Sequence, residues 1–479
     1  MSVAARGVRV SLRTSPGSTL SDCLNTLRTC GAKAPQIASG RTMTFIRSIG
    51  RWAMTGLVIN GIIGSGIFGV PGELTHLLGR ASPIAMVFAA LGMAIIMAVI
   101  TEVASQFSDP GGPYLYVRTA FGRFFGLQIG WFWLLAIIGG AAANANLFVM
   151  YLAGFLPPVG HGWGRTLAIT ALIAVPTIAN YLGARSVANL SNLLTVAKLL
   201  PLGLLIVLGV FRFGGYFQTI HPSEIIHPGW GAWMNALLLL LFVYGGYEDS
   251  LAPMGEVKEP TRTVPFALAT GLLVCATTYS LLQFVTVATI GTMATDRPLV
   301  ETAMLLIGRG GAVFVAVAVM ISSYGWIAGS TLNAPRIAYA FSAHGDFPRF
   351  LRRLHSRYQT PALAIFIYSA LVWALALTET FLWVAAVAAG SMAIEYGGIC
   401  AALIQLRKMQ PHAQALRLPY GSAFALAGIA ICVALLSRLS IREALLMGVT
   451  ALLPAGNWWW ARRSARSSSH AQKAVEVPG

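Results

Sequence analysis

Long apolar runs separated by short polar segments dominate the pattern of this chain of 479 residues. Each run is about 17–30 residues long, which is enough to cross the hydrocarbon core of a bilayer as a helix. The runs lie near residues 52–71, 82–107, 124–155, 165–181, 188–211, 230–253, 265–291, 311–340, 361–377, 381–406, 420–436 and 441–460. We therefore predict an all-α membrane protein with twelve transmembrane helices.

The first run contains a stretch, residues 60–72, that does not suit a continuous helix. Five glycines and one proline fall in these thirteen residues, and each interior glycine costs about 1 kcal/mol relative to alanine. A broken helix leaves backbone N–H and C=O groups unpaired, which hydrocarbon tolerates only where the break lines a cavity. The alternative is that Gly64 and Gly66 only let two helices pack closely, but such glycines are usually four apart. The spacing favours a broken helix that binds a ligand.

A second break is predicted in the sixth run, where Gly245 and Gly246 are followed by Glu248 and Asp249. It comes five spans after the first break. Because five is odd, the two broken helices would run in opposite directions across the membrane, as in an inverted repeat of spans 1–5 and 6–10. In such a repeat the binding site lies where the two breaks meet.

Composition and charge narrow the class of protein further. The chain is 56% apolar and 10% charged, with a net charge of +17. In a soluble protein this charge would suggest nucleic acid. Here the basic residues lie between the apolar runs, with their excess on the side that holds both termini, so we predict cytoplasmic termini, contact with membrane lipid and no nucleic acid.

The chain has no motif that favours an enzyme or a bound cofactor. It lacks the G-x-x-x-x-G-K-[ST] and H-E-x-x-H motifs and a paired-carboxylate motif. Its five cysteines, at positions 23, 30, 275, 400 and 432, have no metal-ligand spacing. We predict neither a metal site nor a cofactor.

Several motifs resemble those of the amino acid–polyamine–organocation (APC) superfamily of amino acid permeases. They are GSGIF at 64–68 with Pro71 and Gly72, Glu102 with PGGPYLY at 110–116 and FG at 121–122, YGGYE at 244–248 with GEVKEPTR at 255–262 and Pro265, and RIAYA at 336–340 with GDFP at 345–348. The resemblance implies a five-plus-five inverted repeat (LeuT-like fold), with the substrate between spans 1, 3, 6 and 8. It also implies a core over residues 46–410, two further helices over 411–460, and a cytoplasmic C-terminal tail over 461–479. Residues 1–45 are expected to be a disordered or mis-called tail.

The function implied by the resemblance is secondary active transport of amino acids across the cytoplasmic membrane, coupled to protons. Two alternatives stay open: an exchanger of amino acids or polyamines, and a sensor that has lost transport. A polyamine carrier would favour an acidic pocket, and the first break has no acidic residue before Glu73.

An amino acid zwitterion needs donors for its carboxylate and acceptors for its ammonium group. The backbone N–H groups near Ser65 and Gly66 are the expected donors, at the positive end of a half-helix. The expected acceptors are the carbonyls of Ile62, Phe242 and Gly245.

Three further residues complete the predicted substrate site. Phe242 resembles the gating aromatic of the family, although it could be an ordinary lipid-facing or core residue. Asn144 could face the substrate or bond between helices, and so could its neighbour Asn146. Ser330 replaces a large aromatic that many relatives carry, which predicts a roomier pocket on that side.

Buried charges supply the remaining candidates. Lys198 lies deep in the fifth run, where a lysine costs about 2.5–3.5 kcal/mol, so it should face a partner or a cavity; reaching the membrane surface is the alternative. The resemblance implies that its ammonium contacts carbonyls near Gly61 and Ile62, and we expect it to couple protons. Glu102 and Glu248 are expected in an inner-gate network, or else to be solvated. Glu395 lies inside the tenth run, with no partner that the sequence identifies.

Overall fold

A computed structural model describes residues 49–107, 111–183, 187–213, 228–251, 257–291, 295–343, 345–409 and 416–475. The predicted tail of residues 1–45 and the first two residues of the GEVKEPTR motif lie outside these ranges. Within them the regular elements are helices, and the one β-type pairing is an isolated bridge between Ile49 and Val257.

Sixteen α-helices follow one another along the described chain. They are α1 Arg51–Ile62, α2 Gly66–Gly69, α3 Pro71–Leu78, α4 Ser82–Ala104, α5 Gly112–Phe121, α6 Arg123–Leu152, α7 Gly162–Tyr181, α8 Val187–Phe213, α9 Trp230–Tyr244, α10 Pro260–Ile290, α11 Pro298–Ile307, α12 Arg309–Ala343, α13 Ala362–Thr378, α14 Phe381–Met409, α15 Gly421–Leu436 and α16 Ile441–Val475. Short 3₁₀ segments include Gly79–Ala81, Pro157–Gly160, Tyr247–Leu251 and Arg349–Arg352.

Seven described helical segments are long and apolar enough to cross a membrane, and α15 with α16, bent by 116°, makes an eighth if the pair is one span. The seven are Pro71–Ala104, Arg123–Leu152, Gly162–Tyr181, Trp230–Leu251, Pro260–Ile290, Arg309–Ser342 and Phe381–Met409. A helix or a broken helix also occupies each of the twelve predicted runs. The chain is therefore a helical, multi-pass membrane protein, and the count of twelve spans stays a prediction.

The boundaries differ from the prediction in three places. The first broken helix continues through α3 to Leu78, beyond the predicted end at residue 71. Two helices, α5 and α11, form in segments predicted as loops. The last helix continues to Val475, into the segment predicted as a tail. Such errors are expected, because hydropathy detects only the part of a helix that is apolar.

Glu102 connects the end of α4 to α14 rather than to the second break. Its buried carboxylate accepts a two-pronged hydrogen bond from Arg407, at 2.7 and 2.6 Å, and a third from the Leu418 N–H at 3.0 Å. A planar guanidinium fits a carboxylate in this geometry and holds it in place.

A second ion-pair cluster connects α5, α6 and the end of α12 around buried Asp346. Its carboxylate accepts hydrogen bonds from the Tyr114 hydroxyl and from Arg123 Nε, the latter at 2.8 Å, and Arg118 lies 3.4 Å away. Burial and the neighbouring carboxylate raise the pKa of Tyr114, so its hydroxyl stays a donor. The motifs PGGPYLY and GDFP, far apart in sequence, thus contact each other.

Candidate functional site

The first broken helix opens between Ile62 and Gly66. Ile63 leaves the helical conformation, with φ −76° and ψ 85°, and the helix resumes at α2, which continues through Val70 into α3. The first N–H groups of the resumed helix have no acceptor within it and carry the positive end of its dipole. Ser65 is buried, and among the described residues its hydroxyl has no hydrogen-bond partner.

The second broken helix opens at Gly245 and Gly246, directly after α9. Gly245 is extended, and Gly246 has φ +91°, a conformation that favours glycine. A 3₁₀ segment then begins at Tyr247. The Gly246 N–H, which the break frees, donates to the Glu248 carboxylate at 3.0 Å. The buried Glu248 side chain therefore caps the N–H group that this break leaves free.

The two breaks are in direct backbone contact. A Cβ on Gly61 would lie 2.6 Å from the Gly246 carbonyl oxygen, and a Cβ on Gly246 would lie 2.6 Å from that of Gly61. A Cβ on Gly66 would lie 2.9 Å from the Cα of Val243. These glycines let two backbones meet where neither could carry a side chain, so Gly66 has a packing role as well as a free N–H.

Ile62 differs from its expected role. Its carbonyl oxygen already accepts from the Gly64 N–H at 2.9 Å and from the Tyr279 hydroxyl at 3.1 Å. A carbonyl has two lone pairs, and both are used. Ile62 therefore positions the break and offers no spare acceptor to an ammonium group.

Lys198 contacts the first break from α8. Its ammonium donates to the carbonyl of Ile63 at 3.1 Å and to the side-chain oxygen of Asn60 at 3.1 Å, and the side chain is buried. The acceptor lies one residue beyond the predicted Gly61 and Ile62. Lys198 therefore faces the break and not the surface of the protein.

The two asparagines of α6 have different surroundings. Asn144 is buried and donates to the Gly140 carbonyl at 2.8 Å, while its own side-chain oxygen has no partner among the described residues. Asn146 accepts from Arg165 at 2.8 Å and donates to the Glu379 carbonyl at 3.0 Å. Asn146 bonds between helices, and Asn144 keeps a free acceptor.

Trp326 of α12 packs against both α6 and the first break. A Cβ on Gly140 would lie 2.7 Å from its indole ring, and one on Gly64 would lie 3.7 Å away. Ser330, one turn later, donates its hydroxyl to the Ile327 carbonyl at 3.0 Å. The roomier side that Ser330 predicts is thus bounded by an aromatic ring from the preceding turn.

Phe242 belongs to an aromatic pair on the other side of the breaks. Its ring meets Phe381 edge to face, with 6.5 Å between the ring centroids, and Phe381 also packs on Gly69. Phe381 lines a cavity of about 380 Å³ that Arg165 and Arg297 also line. The pair therefore lies between this polar cavity and the second break.

Glu248 and Glu102 belong to separate networks. Besides the Gly246 N–H, Glu248 accepts from the Tyr396 hydroxyl of α14 at 2.9 Å, whereas Glu102 bonds to Arg407 and Leu418. Glu395, next to Tyr396, is fully buried, and both of its carboxylate oxygens lack a partner among the described residues.

Sequence reasoning missed the residues that touch the site from other helices. Trp326, Phe381 and Tyr279 are aromatic residues in apolar runs rich in such residues, so nothing local distinguishes them. Asn60 is a polar residue in an apolar run, one turn before the break. A polar residue that only bonds between helices would look the same in the sequence, so this position did not identify a site residue.

The comparisons with known proteins identify a family. A sequence model of the amino acid permease family matches residues 49–461. The chain is 29% identical over 326 residues to the serine/threonine exchanger SteT of Bacillus subtilis. This alignment covers 64% of this chain and 72% of SteT.

Two further relatives are also named as transporters. Identity is 26% over 343 residues to an arginine/agmatine antiporter of Chlamydia caviae, covering 68% of this chain and 70% of that protein. The chain is 25% identical over 338 residues to a putative arginine/ornithine antiporter of Escherichia coli K12. That alignment covers 65% of this chain and 71% of the antiporter. Because the family match includes both broken helices, the chain belongs to the amino acid permease family of the APC superfamily.

Proposed function

We propose that this amino acid transporter is a secondary active carrier that works by alternating access around its two broken helices. The contact between the breaks at Gly61 and Gly246, beside the buried and unpartnered hydroxyl of Ser65, is the observation that carries the proposal. The backbone N–H and C=O groups that such a break leaves unpaired are unfavourable in hydrocarbon. A charged ligand can form hydrogen bonds with them, so the break favours a binding site.

We assign the substrate's two charges to polar groups at and beside the two breaks. The N–H groups of Ser65 and Gly66, with the Ser65 hydroxyl, bind the carboxylate. The side-chain oxygen of Asn144 and the carbonyls of Phe242 and Gly245 accept from the ammonium group. Phe242 covers the bound side chain, and Ser330 and Trp326 bound the pocket beside α12.

We assign proton coupling to Lys198. Its ammonium holds the carbonyl of Ile63, at the edge of the first break. Loss of the proton would remove the positive charge that strengthens both hydrogen bonds of Lys198, and the weaker amine donor would let the break move. The coupling is reciprocal, because a substrate that favours one position of the break also favours one protonation state of the lysine.

The proposed architecture places twelve spans in the cytoplasmic (inner) membrane, with both termini cytoplasmic. Residues 46–410 form the five-plus-five inverted repeat of LeuT type, 411–460 add two helices, and 461–479 follow in the cytoplasm. The opposed breaks in α1–α2 and after α9 support the repeat, since matched broken helices mark the two halves of such transporters.

Uptake into proteoliposomes tests the proposal. The purified protein is reconstituted and offered a panel of radiolabelled amino acids with and without an inward proton gradient. Accumulation of one substrate group, increased by the gradient, is expected. Binding of an amino acid without any uptake would instead indicate a sensor, and it would overturn transport.

Exchange is the second candidate function, favoured by the relatives that are named an exchanger and antiporters. It is separated in the same vesicles by loading them with unlabelled substrate. An exchanger takes up label only into loaded vesicles and does not respond to the gradient. A symporter takes up label into empty vesicles as well.

A further inference from the structure

Two acidic side chains follow the second break, and a third lies on the helix that packs against it. Glu248 and Asp249 belong to the 3₁₀ segment Tyr247–Leu251, and Glu395 of α14 is next in sequence to Tyr396, which donates to Glu248. Glu395 is 0% exposed and Glu248 is 4% exposed. The electrostatic neighbours of Glu395 are Glu248 and Asp249. The transport scheme above assigns no role to Glu395.

Two of the three acids, Glu248 and Asp249, accept hydrogen bonds from neighbouring groups, and Glu395 does not. Glu248 accepts from Gly246 and Tyr396, and Asp249 accepts from Trp133 of α6 at 3.3 Å. Both oxygens of Glu395 have no hydrogen-bond partner among the described residues. A carboxylate accepts hydrogen bonds only, whereas a carboxylic acid also donates one.

The other titratable groups here do not supply a positive charge. Tyr247 stacks on Tyr396, Cys400 lies beyond them on α14, and Tyr368 of α13 is a neighbour of Asp249. In the described part of the chain, no lysine, arginine or histidine forms an ion pair with any of the three acids. Arg407, on the same helix as Glu395, lies about 18 Å along it and is bound to Glu102.

An unpaired carboxylate in such a place is strongly unfavourable. Three neighbouring acids without a cation would add mutual repulsion. A proton removes both penalties at once. A metal ion is not favoured, because no three described Asp, Glu, His or Cys side chains converge as ligands. A cationic substrate group is not favoured either, since Glu395 is fully buried and Met392, three residues earlier on α14, packs against Gly245.

We propose that Glu395, Glu248 and Asp249 form a proton-binding site that holds at least one proton at neutral pH, centred on Glu395. The site is connected to the break because Glu248 caps the Gly246 N–H. A proton on Glu248 weakens that cap, and its loss from Glu248 restores the cap. That this proton also drives uptake rests on the proposed transport function.

Infrared spectroscopy of the full-length protein in detergent tests proton binding without transport. The protein is compared with Glu395→Gln, which keeps the shape and removes the acid. Ser391→Ala is the matched control, because Ser391 is equally buried one turn earlier and bonds only to the Val387 carbonyl. At neutral pH, the C=O band of a protonated carboxylic acid is expected in the protein and in Ser391→Ala, and is expected to be lost or reduced in Glu395→Gln.

An identical carboxylic acid band in the protein and in Glu395→Gln, or no such band in either, would overturn the proposal. Should Glu395→Gln fail to fold, Glu248→Gln and Asp249→Asn change the same shared proton, and the band must then shift in at least one of them. Sodium in place of potassium in the buffer should leave the band unchanged. A band that disappears in sodium would indicate a metal-cation site and would also contradict the proposal.

Uptake adds the link to transport. With an imposed proton gradient, Glu395→Gln is expected to lose about tenfold or more of its accumulation while exchange of internal for external substrate continues. Equal accumulation in both proteins would remove the link and leave the transport function standing. Absence of uptake by the unchanged protein would contradict the transport function, and the infrared result would still decide the proton site.

Discussion

Lys198 illustrates how much one buried charge constrains a membrane helix. A lysine at mid-depth is unfavourable unless it finds acceptors, and the two acceptors here belong to the edge of the first break. That cost predicts a buried partner for Lys198, and the family resemblance placed this partner at the first break. That the two acceptors are Ile63 and Asn60 could not be predicted from the sequence, because it depends on how α8 packs against α1.

Replacing Lys198 by methionine keeps most of the volume and removes the charge. We expect proton-driven accumulation to fall by about tenfold or more, since the donor that holds the Ile63 carbonyl is lost. Lys408→Met is the matched control, because Lys408 is exposed at the end of α14. The measurement is uptake at fixed pH gradient, and undiminished accumulation in Lys198→Met would exclude Lys198 as the coupling residue.

Trp326 is expected to limit the size of the substrate. Its indole ring packs on Gly140 and lies close to Gly64, so Trp326→Ala removes a wall of the pocket. We expect the ratio of uptake of large to small neutral amino acids to rise about tenfold or more. Competition by a size series of unlabelled amino acids measures that ratio. Trp163→Ala, a change at a residue 82% exposed, is the control, and a similar ratio in both variants would contradict the assignment.

At the scale of elements, the two broken helices depend on glycine where their backbones touch. Gly61→Ala places a methyl group 2.6 Å from the Gly246 carbonyl oxygen, so the helices must move apart. Overpacking of this kind typically lowers the free energy of unfolding by about 1–3 kcal/mol. We expect a lower unfolding temperature together with reduced substrate binding.

Gly56→Ala is the matched control for this change. Gly56 lies in the same helix, and a Cβ there would meet no atom within 4 Å, so alanine should be neutral or stabilise the helix by up to about 1 kcal/mol. Thermal unfolding in detergent and substrate binding are measured for both. Equal behaviour of the two variants would show that the breaks do not need their close contact. The neighbouring Gly66→Val is a poorer test of substrate binding, because it also clashes with Val243.

The sequence was sufficient to place both breaks, and the reason is local. Paired glycines inside an apolar run are unfavourable in a helix whatever surrounds them. The contacts around the breaks were not predictable in the same way. Tyr279 occupies the Ile62 carbonyl and Trp326 bounds the pocket through packing between distant helices, and one sequence contains no signal for that packing.

At the scale of the whole molecule, hydropathy located the helices but not their full lengths. The positions of α4, α6, α7 and α13 match the predicted runs to within a few residues. Helix α5 was missed because PGGPYLY reads as a turn, and its helical form is stabilised instead by the contact of Tyr114 with Asp346. Short helices outside the hydrocarbon core are stabilised by tertiary contacts, and hydropathy does not reveal those contacts.

The orientation in the membrane gives the last prediction. The distribution of Lys and Arg predicts that the 3₁₀ segment Pro157–Gly160 lies outside and that the segment after Arg349–Arg352 lies inside. A cysteine at exposed His161 should therefore react with a membrane-impermeant maleimide in intact cells. One at exposed Ser356 should react only after the membrane is opened.

The chain suits this labelling because Cys275, Cys400 and Cys432 are buried, and Cys23 and Cys30 can be replaced by serine. Labelling of the cysteine-reduced parent before and after opening the membrane gives the background. Reaction of both new cysteines from outside would place the two segments on one side and would exclude an odd number of spans between them. Reaction of Ser356→Cys alone from outside would reverse the orientation. Five spans are predicted between the two segments, so opposite accessibility is the result that the inverted repeat requires.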